Sequence, residues 1–369
     1  MKLALRILGA VGMLVVVAIA GLAFAVSYDA ACPLPQPPPD AGQHTQAVLY
    51  RCYGAPEVLQ LEAVAKPVPA DDQILVKVHS ASLNPLDWHY MRGEPYFMRL
   101  GAGLGAPKDT SMGVDFSGTV AAVGKHVTQF KPGDAVFGAR GGALGEYVTV
   151  RENGAVALKP DNVTFDQAAA IPIAGLTALQ ALRDKGKVRA GQKILINGAS
   201  GGVGTFAVQI AKALGAEVTG VCSGRNVELV RSLGADHVID YTQEDFTQAD
   251  RQYDLILDNV GNHSLLAYRR VLKPAGILVM VGGRSTDPWL GPMMQPLKAA
   301  LLSPFISQDS FMFLSDMNQT DLQHVAGLMQ EGKVVAVIDR TYPLREIVPA
   351  MTYLERGHAR GKVIVNVEQ

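Results

Sequence analysis

The sequence has no excess of charge of either sign and few cysteines. Its 369 residues include 33 Lys and Arg, 34 Asp and Glu and 3 Cys. A balanced charge creates no field that would recruit a nucleic acid, so we expect no nucleic-acid partner and favour a small apolar substrate. Cys32, Cys52 and Cys222 lack the paired spacing of a zinc ribbon or a disulfide framework. They therefore indicate little about the redox compartment.

The N-terminal region contains a long stretch without charged side chains, residues 7–26. As a helix rising about 1.5 Å per residue, it would cross roughly 30 Å of hydrocarbon. Lys2 and Arg6 precede it and the next basic residue is Arg51, which predicts a cytoplasmic N-terminus and a body on the far side. The alternative is a cleaved signal peptide, since residues 23–25 read Ala-Phe-Ala, but the stretch is longer than a typical signal. We predict residues 1–28 as a single-pass membrane anchor or signal.

The rest of the chain divides by composition. Residues 29–45 are proline-rich and predict an extended linker. Residues 46–168 alternate apolar and polar positions between Gly, Pro and Asp turns, which predicts a mostly β unit. In residues 169–324 apolar strands alternate with helices, which predicts an α/β domain with a doubly wound parallel sheet. We expect residues 325–369 to complete the β unit.

A glycine-rich loop joins the first strand of the α/β domain to an apolar helix. Ala199, Gly202 and Gly204 form an AxxGxG variant of the dinucleotide-binding fingerprint. The glycines permit a tight turn and close approach of a pyrophosphate, and the free amides of the helix bind that anion. The predicted cofactor-binding residues of the loop are Ala199, Ser200, Gly201, Gly202, Val203 and Gly204. The alternative is a tight turn without a ligand.

The end of the second strand lacks the carboxylate that holds the ribose hydroxyls of NAD. Ser223 and Arg225 stand there instead, and a hydroxyl and a guanidinium suit a 2′-phosphate. We therefore predict NADPH in preference to NADH, with a merely solvated Arg225 as the alternative. Further cofactor contacts are predicted at the ends of the third and fourth strands: Tyr241, Asn259, Val260 and Gly261.

Several motifs occur in one order along the chain: SLNPLDWHYMRG, GVDFSGTVAAVG, AAAIPIAGLTAL, INGASGGVGTFAVQIAK and LGADHVIDY. Together they resemble the medium-chain dehydrogenase/reductase superfamily, and within it the zinc-free quinone oxidoreductase-like reductases, over about residues 46–367. The resemblance implies a GroES-like β domain built from both ends of the body, a Rossmann domain between them, and an active site in the cleft. It also implies NADPH-dependent reduction of quinones or of carbon–carbon double bonds next to a carbonyl.

The metal-dependent relatives bind zinc through a Cys, a His and a second Cys, and the matching positions here are Asn84, Val114 and Ala174. None of these side chains offers a thiolate or an imidazole, so we expect no zinc and no metal site. Asp87, His89 and Asp115 are potential ligands nearby. Such groups are more often hydrogen-bond partners.

The resemblance places Asn84 beside the nicotinamide and the substrate, where its amide would polarise a carbonyl oxygen. Its alternative role is that of a turn residue before Pro85. His89 and Tyr90 are candidate proton donors, with water as the alternative. Thr177 is a candidate hydrogen-bond partner of the nicotinamide, with helix capping as the alternative.

Residues 284–317 are too apolar for an ordinary loop and contain four prolines. Three interpretations of this apolar insertion are open. It is a lid that forms a wall of the pocket or rests on a bilayer, or it is a homodimer interface, or it is part of the core.

The predicted function is transfer of hydride from NADPH to a quinone, an enone or a related apolar carbonyl compound, without zinc. Alcohol–aldehyde interconversion and a non-catalytic NADPH-binding regulatory module remain as alternatives. The charge rule places the body outside the cytoplasm, whereas NADPH is expected inside the cell. These two expectations contradict each other.

Overall fold

The computed structural model describes residues 2–34, 42–283, 287–289, 291 and 308–368, with side chains from residue 10 onward. The apolar N-terminal stretch forms one helix, α1 (Lys2–Ser27). Residues Ala10–Ser27 have a mean hydropathy of 2.5, and only 6% of this window is buried. By length and composition α1 is able to cross a membrane.

The described part of the body contains two sheets and a separate β-hairpin with surrounding helices. In chain order the strands are β1 (His44–Tyr50), β2 (Leu59–Ala65), β3 (Gln73–Leu83), β4 (Asp115–Val123), β5 (Ala135–Ala139), β6 (Tyr147–Arg151), β7 (Val156–Leu158), β8 (Lys193–Asn197), β9 (Glu217–Cys222), β10 (His237–Asp240), β11 (Tyr253–Asp258), β12 (Leu272–Met280), β13 (Asp309–Met312), β14 (Ile338–Pro343) and β15 (Lys362–Asn366). The helices after α1 are α2 (Pro85–Arg92), α3 (Arg99–Ala102), α4 (Phe165–Ala169), α5 (Pro172–Gln180), α6 (Gly202–Ala213), α7 (Val227–Ser232), α8 (Leu265–Val271), α9 (Gln319–Gln330) and α10 (Ile347–Glu355).

The first domain, which we call the substrate domain, is built on a largely antiparallel sheet. Its strand order is β14-β15-β3-β4-β5-β7, with β6 also paired to β3, while β1 and β2 pair with each other. Ile74, Val76 and Val78 alternate along β3 into a buried core, because successive side chains of a strand point to opposite faces. Val363 and Val365 of β15 pack in the same core. The C-terminal strand therefore closes the domain that the N-terminal part of the body begins.

The second domain contains a parallel sheet in the order β10-β9-β8-β11-β12-β13. This is the 3-2-1-4-5-6 order of a doubly wound dinucleotide-binding fold. Its central strands are buried on both faces: Ile194 and Ile196 of β8 lie in one apolar cluster and Leu195 lies in another. The expected α/β class, a β domain joined to a doubly wound parallel sheet, is confirmed. The winding reverses between β8 and β11, so the carboxyl ends of these strands flank the crevice where ligands bind.

Two elements lie differently from the sequence expectation. Helix α9 packs through Leu322 and Val325 into the core of the parallel sheet. The return to the substrate domain therefore begins at β14, later than the expected residue 325. Strand β13, inside the predicted insertion 284–317, is the sixth strand of the parallel sheet, and Phe313 after it is buried. That end of the insertion is core. Residues 292–307, with Met293, Met294 and Phe305, lie outside the described residues.

The predicted linker 29–45 is not a free tether at its N-terminal end. The amide of Ala30 donates to the carbonyl oxygen of Gly105 at 2.8 Å. Cys32 forms a disulfide bond with Cys52, 20 positions along the chain, with a Cα–Cα distance of 5.0 Å. The spacing of the cysteines had indicated no disulfide framework, and this pair departs from that expectation. Spacing gave no indication of it because the fold, and not the local sequence, brings the two residues together.

Candidate functional site

The glycine-rich loop leads from β8 into helix α6, which begins at Gly202. No side chain caps this helix and its first turn contains no acidic residue. The first amides of a helix have no acceptor within it, and they carry the positive end of the helix dipole. Gly201, just before the helix, forms an isolated parallel bridge with Gly361, and the amides further along the first turn can bind an anion such as a pyrophosphate.

The glycines of the loop have different roles. A Cβ atom on Gly204 would lie 2.1 Å from the carbonyl oxygen of Gly198, so the helix packs against the loop only with glycine there. Gly198 has a φ of +78°, a left-handed conformation that favours glycine, and the sequence reasoning had not singled it out. A Cβ atom on Gly201 would meet nothing closer than 3.5 Å. Gly201 is thus not required by lack of space, and its backbone forms an isolated parallel bridge with Gly361.

The end of β11 lies beside this loop. Asp258 is buried, and its Oδ1 accepts hydrogen bonds from the amides of Val260 at 3.1 Å and Gly261 at 3.0 Å. These two amides shape the turn instead of facing a ligand. Asn259 donates from Nδ2 to the carbonyl oxygen of Asn197 at 3.0 Å, and its buried Oδ1 has no hydrogen-bond partner among the described residues. Because an unpaired buried acceptor costs about 1–3 kcal/mol, a ligand that donates to it would be stabilised.

The end of β9 carries a second polar group of side chains. Asn226 Nδ2 donates to Ser200 Oγ at 3.0 Å and to Ser223 Oγ at 3.2 Å, so it joins the glycine loop to the strand end. Its Oδ1 is also buried without a partner in the described part of the chain. Arg225 is exposed and donates to the carbonyl oxygen of His358 at 2.9 Å. Asn226 was missed because it lies in a short turn that no periodicity marks.

Tyr241 follows β10 on the same side of the sheet as these residues. Its amide donates to the carbonyl oxygen of Cys222 at 3.0 Å, and its side chain is exposed. The structure thus brings the predicted loop and strand-end residues to one edge of the sheet. The two unpaired amide oxygens and the uncapped helix fit a dinucleotide, which would lie across this edge.

Asn84 lies at the start of α2 with 2% of its surface exposed. Its side-chain Oδ1 accepts from Lys362 Nζ at 2.5 Å. Its Nδ2 donates to Asp115 Oδ2 at 3.0 Å and to the carbonyl oxygen of Ser82 at 3.4 Å. Since a lysine only donates, Lys362 fixes which end of the amide faces Asp115. Both amide hydrogens of Asn84 are used within the protein.

Lys362 and Asp115 form a buried ion pair, with 3.4 Å between Nζ and Oδ2. Burial lowers the pKa of Lys362 and raises the pKa of Asp115, and the attraction between the two opposes both shifts. Burial also raises the pKa of nearby Asp87 to about 7. Asp115 is further held by Ser82 Oγ at 3.0 Å and by the amide of Ile173 at 3.1 Å.

The cluster of Asn84, Asp115 and Lys362 lies directly against the glycine-rich loop. The amide of Gly361 donates to the carbonyl oxygen of Ser200 at 2.9 Å. A Cβ atom on Gly202 would lie 3.2 Å from Lys362 Cδ. Lys362 therefore joins the loop to the floor of the cleft. The sequence reasoning missed it, although a lysine that begins an otherwise apolar strand was a visible signal.

The three remaining predicted residues differ in their surroundings. His89 Nδ1 lies 2.7 Å from the carbonyl oxygen of Glu94 and must donate to it, while burial lowers the pKa of this histidine. The neutral ring then carries a lone pair and no proton on Nε2, which does not suit a proton donor. Tyr90 is exposed. Thr177 is buried within α5, where its Oγ1 lies 2.9 Å from Ser315 Oγ, so it caps no helix.

Val114 and Ala174, at two of the positions that match zinc ligands, pack against the apolar core of the parallel sheet. Within the described ranges, no three or more His, Cys, Asp or Glu side chains converge on one point.

We predict that Gly202→Asp weakens NAD(P)H binding by roughly tenfold or more, because a carboxylate at the uncapped helix start repels the pyrophosphate. The measurement is a calorimetric or fluorescence titration of the variant. Gly327→Asp is the matched control, since a side chain there meets nothing within 4 Å in α9. Equal affinities of Gly202→Asp and the unaltered protein would contradict the assignment of the loop.

We predict that Lys362→Met lowers the free energy of unfolding by about 3 kcal/mol, because it leaves Asp115 and Asn84 Oδ1 buried without their donor. Denaturant unfolding measures this loss, with Lys193→Met, at the exposed start of β8, as the control. Combining Lys362→Met with Asp115→Asn should cost less than the sum of the two single changes. Additive losses would show that the pair is not coupled.

Two family models match the chain. One describes the alcohol dehydrogenase GroES-like domain and matches residues 70–161, and the other describes zinc-binding dehydrogenases and matches residues 233–365. The second matches although the three positions above lack zinc ligands.

Relatives cover most of the chain. The mitochondrial NAD(P)H oxidoreductase RTN4IP1 of Mus musculus is 34% identical, over 85% of this chain and 87% of its own. The 2-methylene-furan-3-one reductase of Solanum lycopersicum is 35% identical, over 86% of this chain and 78% of its own. Among solved structures, the quinone oxidoreductase from Coxiella burnetii superposes with a TM-score of 0.78 at 32% identity, over 88% of this chain and 100% of its own.

These identities extend through both domains, and the glycine loop, the strand order and the C-terminal closing strand fit the resemblance seen in the sequence. The chain belongs to the medium-chain dehydrogenase/reductase superfamily and is an NAD(P)H oxidoreductase of the quinone and enoyl reductase type.

Proposed function

We propose that this enzyme transfers hydride from NADPH to a quinone or to a carbon–carbon double bond next to a carbonyl, without zinc. The observation that carries the proposal is the uncapped start of α6 beside a strand end that offers Ser223 and Arg225 in place of a carboxylate. The names of the relatives, which include enone, enoyl and quinone reductases, support the reaction class.

The preference for NADPH rests on the surroundings of Arg225. The guanidinium is exposed at the end of β9, where the 2′-phosphate of a bound cofactor would lie. Asp240, at the end of the neighbouring strand β10, accepts through Oδ1 from the amide of Thr242 at 3.0 Å and from its hydroxyl at 2.8 Å, and its Oδ2 faces Gly224. Arg225 is proposed to be the cation that contacts the phosphate at this strand end.

Zinc independence rests on donor chemistry. The three positions that match the zinc ligands carry Asn84, Val114 and Ala174. An amide already bonded to Lys362 and Asp115, together with two aliphatic side chains, offers no thiolate or imidazole to the metal. Stabilisation of the developing oxyanion must then come from hydrogen-bond donors.

The bound cofactor supplies the hydride, and the protein's task is to hold the acceptor carbon close to it. Asn84 remains the proposed donor to the substrate oxygen. Of its two donated bonds, the one to the carbonyl oxygen of Ser82 is the longer, at 3.4 Å, and is the weaker one to exchange for a substrate. Lys362 and Asp115 keep the amide oriented during this exchange. Because His89 presents no proton on Nε2, Tyr90 or water is the better proton donor.

The enzyme is further proposed to be anchored by α1 in a membrane, the phase in which apolar quinones and enones dissolve. A helix of this length and hydropathy exposes apolar side chains whose contact with water is unfavourable. A homodimer through residues 284–317 stays a prediction, since most of that segment lies outside the described residues.

We expect the purified full-length protein to consume NADPH with a simple quinone or an enone. With cofactor deuterated at the transferable position, the label should appear on the carbon β to the carbonyl of an enone. Label on the carbonyl carbon would instead establish alcohol–aldehyde interconversion. NADPH binding without turnover of quinones, enones or aldehydes would favour the regulatory module and refute the reductase.

We predict that Arg225→Ala raises the KM for NADPH roughly tenfold and changes the KM for NADH little, because only NADPH carries the phosphate that Arg225 faces. Steady-state kinetics with both cofactors measure the split. Arg231→Ala, an exposed arginine on α7 that pairs with Glu228, is the control. An equal change for both cofactors would contradict the proposed phosphate contact.

A further inference from the structure

The end of helix α1 is fixed to the substrate domain. Besides the bond from Ala30 to Gly105, Asp29 forms a parallel β-bridge with Gly105. Val26, one residue before the end of the helix, is buried. The helix therefore leaves the body in a defined direction.

Arg99 holds this junction from inside the body. It is 1% exposed, and its Nη1 lies 2.8 Å from Asp29 Oδ1 and 3.2 Å from the carbonyl oxygen of Tyr28. Its Nε donates to the carbonyl oxygen of Gly93 at 2.7 Å, just after α2. The guanidinium also stacks on Tyr53 and Tyr96. A buried arginine so fully bonded makes the junction stiff, because releasing it would leave several polar groups unpaired.

The Cys32–Cys52 bond closes the same junction covalently, a few residues beyond Asp29. The two thiols become one disulfide by exchange with a disulfide of a donor protein, which takes up the two electrons and the two thiol protons and leaves as a dithiol. Such bonds persist in oxidising compartments. This is the side of the membrane on which the charge distribution around α1 places the body.

An apolar surface surrounds the point where α1 leaves the body. We call it the rim patch, and its members are exposed apolar side chains: Phe24, Tyr28, Phe97, Leu100 and Leu104. Phe24 and Tyr28 belong to the end of α1, and Tyr28 lies against Gly105, next to Leu104. Through Phe24 and Tyr28 the rim patch adjoins the exposed apolar surface of α1. Apolar side chains clustered beside such a helix are typical of a surface that contacts lipid.

We propose that the disulfide and Arg99 lock α1 onto the substrate domain so that the rim patch rests on a lipid bilayer beside the cleft. The proposal rests on the proposed membrane anchoring. Helix α2 follows Asn84 of the cleft and ends at Arg92, whose carbonyl oxygen also accepts from Arg99 at 3.1 Å. The wall of the active site and the junction are therefore one continuous segment, and an apolar substrate reaches the cleft from the bilayer.

The lipid contact is tested with the full-length protein in phosphatidylcholine and phosphatidylglycerol vesicles that contain nitroxide-labelled acyl chains. Leu100→Cys is labelled with a small fluorophore, and Leu158→Cys is the matched control because both leucines are 57% exposed. We expect quenching at position 100 and none at position 158. Equal quenching at the two positions, or none at either, would overturn the proposal.

The lock is tested by counting thiols. Protein isolated without reductant and then denatured should react with a maleimide at Cys222 alone, and at all three cysteines after reduction. Three reactive thiols before reduction, or a mass that shows α1 removed from the purified protein, would overturn the proposal.

The double variant Cys32→Ser/Cys52→Ser, labelled at position 100, should lose quenching toward the level of the control. Unchanged quenching would show that the disulfide does not hold the rim patch on the membrane. Turnover of a water-soluble quinone, measured in the same samples, should persist in this variant. Failure of the lock therefore leaves turnover intact, whereas failure of the proposed function removes turnover from every sample.

Discussion

The buried contact of Lys362 with Asn84 and Asp115 is the constraint on which the cleft depends. A lysine sequestered from water keeps its charge only when a carboxylate and a polar oxygen face it. Here those partners come from β4 and from the start of α2, while the lysine begins β15. Three distant segments must therefore meet before the charge is balanced. Because the amide of Gly361 also donates to the carbonyl oxygen of Ser200, the same contacts hold the glycine-rich loop in place.

This arrangement explains why the substrate domain uses both ends of the body. If a strand close in sequence closed the substrate domain, Lys362 would not be placed beside the glycine-rich loop. With β15 pairing to β3, the chain passes the loop just before it enters the sheet. The two domains are thus joined at the proposed reaction site, and the amide of Asn84 acquires its orientation from a residue 278 positions away.

The sequence predicted those parts of the molecule that depend on local patterns. Apolar strands between helices indicated the parallel sheet, and glycines at a strand-to-helix turn indicated the loop whose Gly204 indeed leaves no space for a Cβ atom. The features that it did not predict depend on long-range contacts or on turns without periodicity. Lys362, Asn226, strand β13 and the Cys32–Cys52 pair are of this kind. Each becomes visible only when distant segments are placed side by side.

The third cysteine, Cys222, is relevant to the pairing of Cys32 with Cys52. Cys222 lies buried at the end of β9, and burial raises the pKa of its thiol to about 11. A thiol that stays protonated and shielded is a poor nucleophile. Once the parallel sheet has formed, Cys222 is withdrawn from thiol exchange and wrong pairings are suppressed. In the folded protein the Cys32–Cys52 bond is therefore protected from exchange with Cys222.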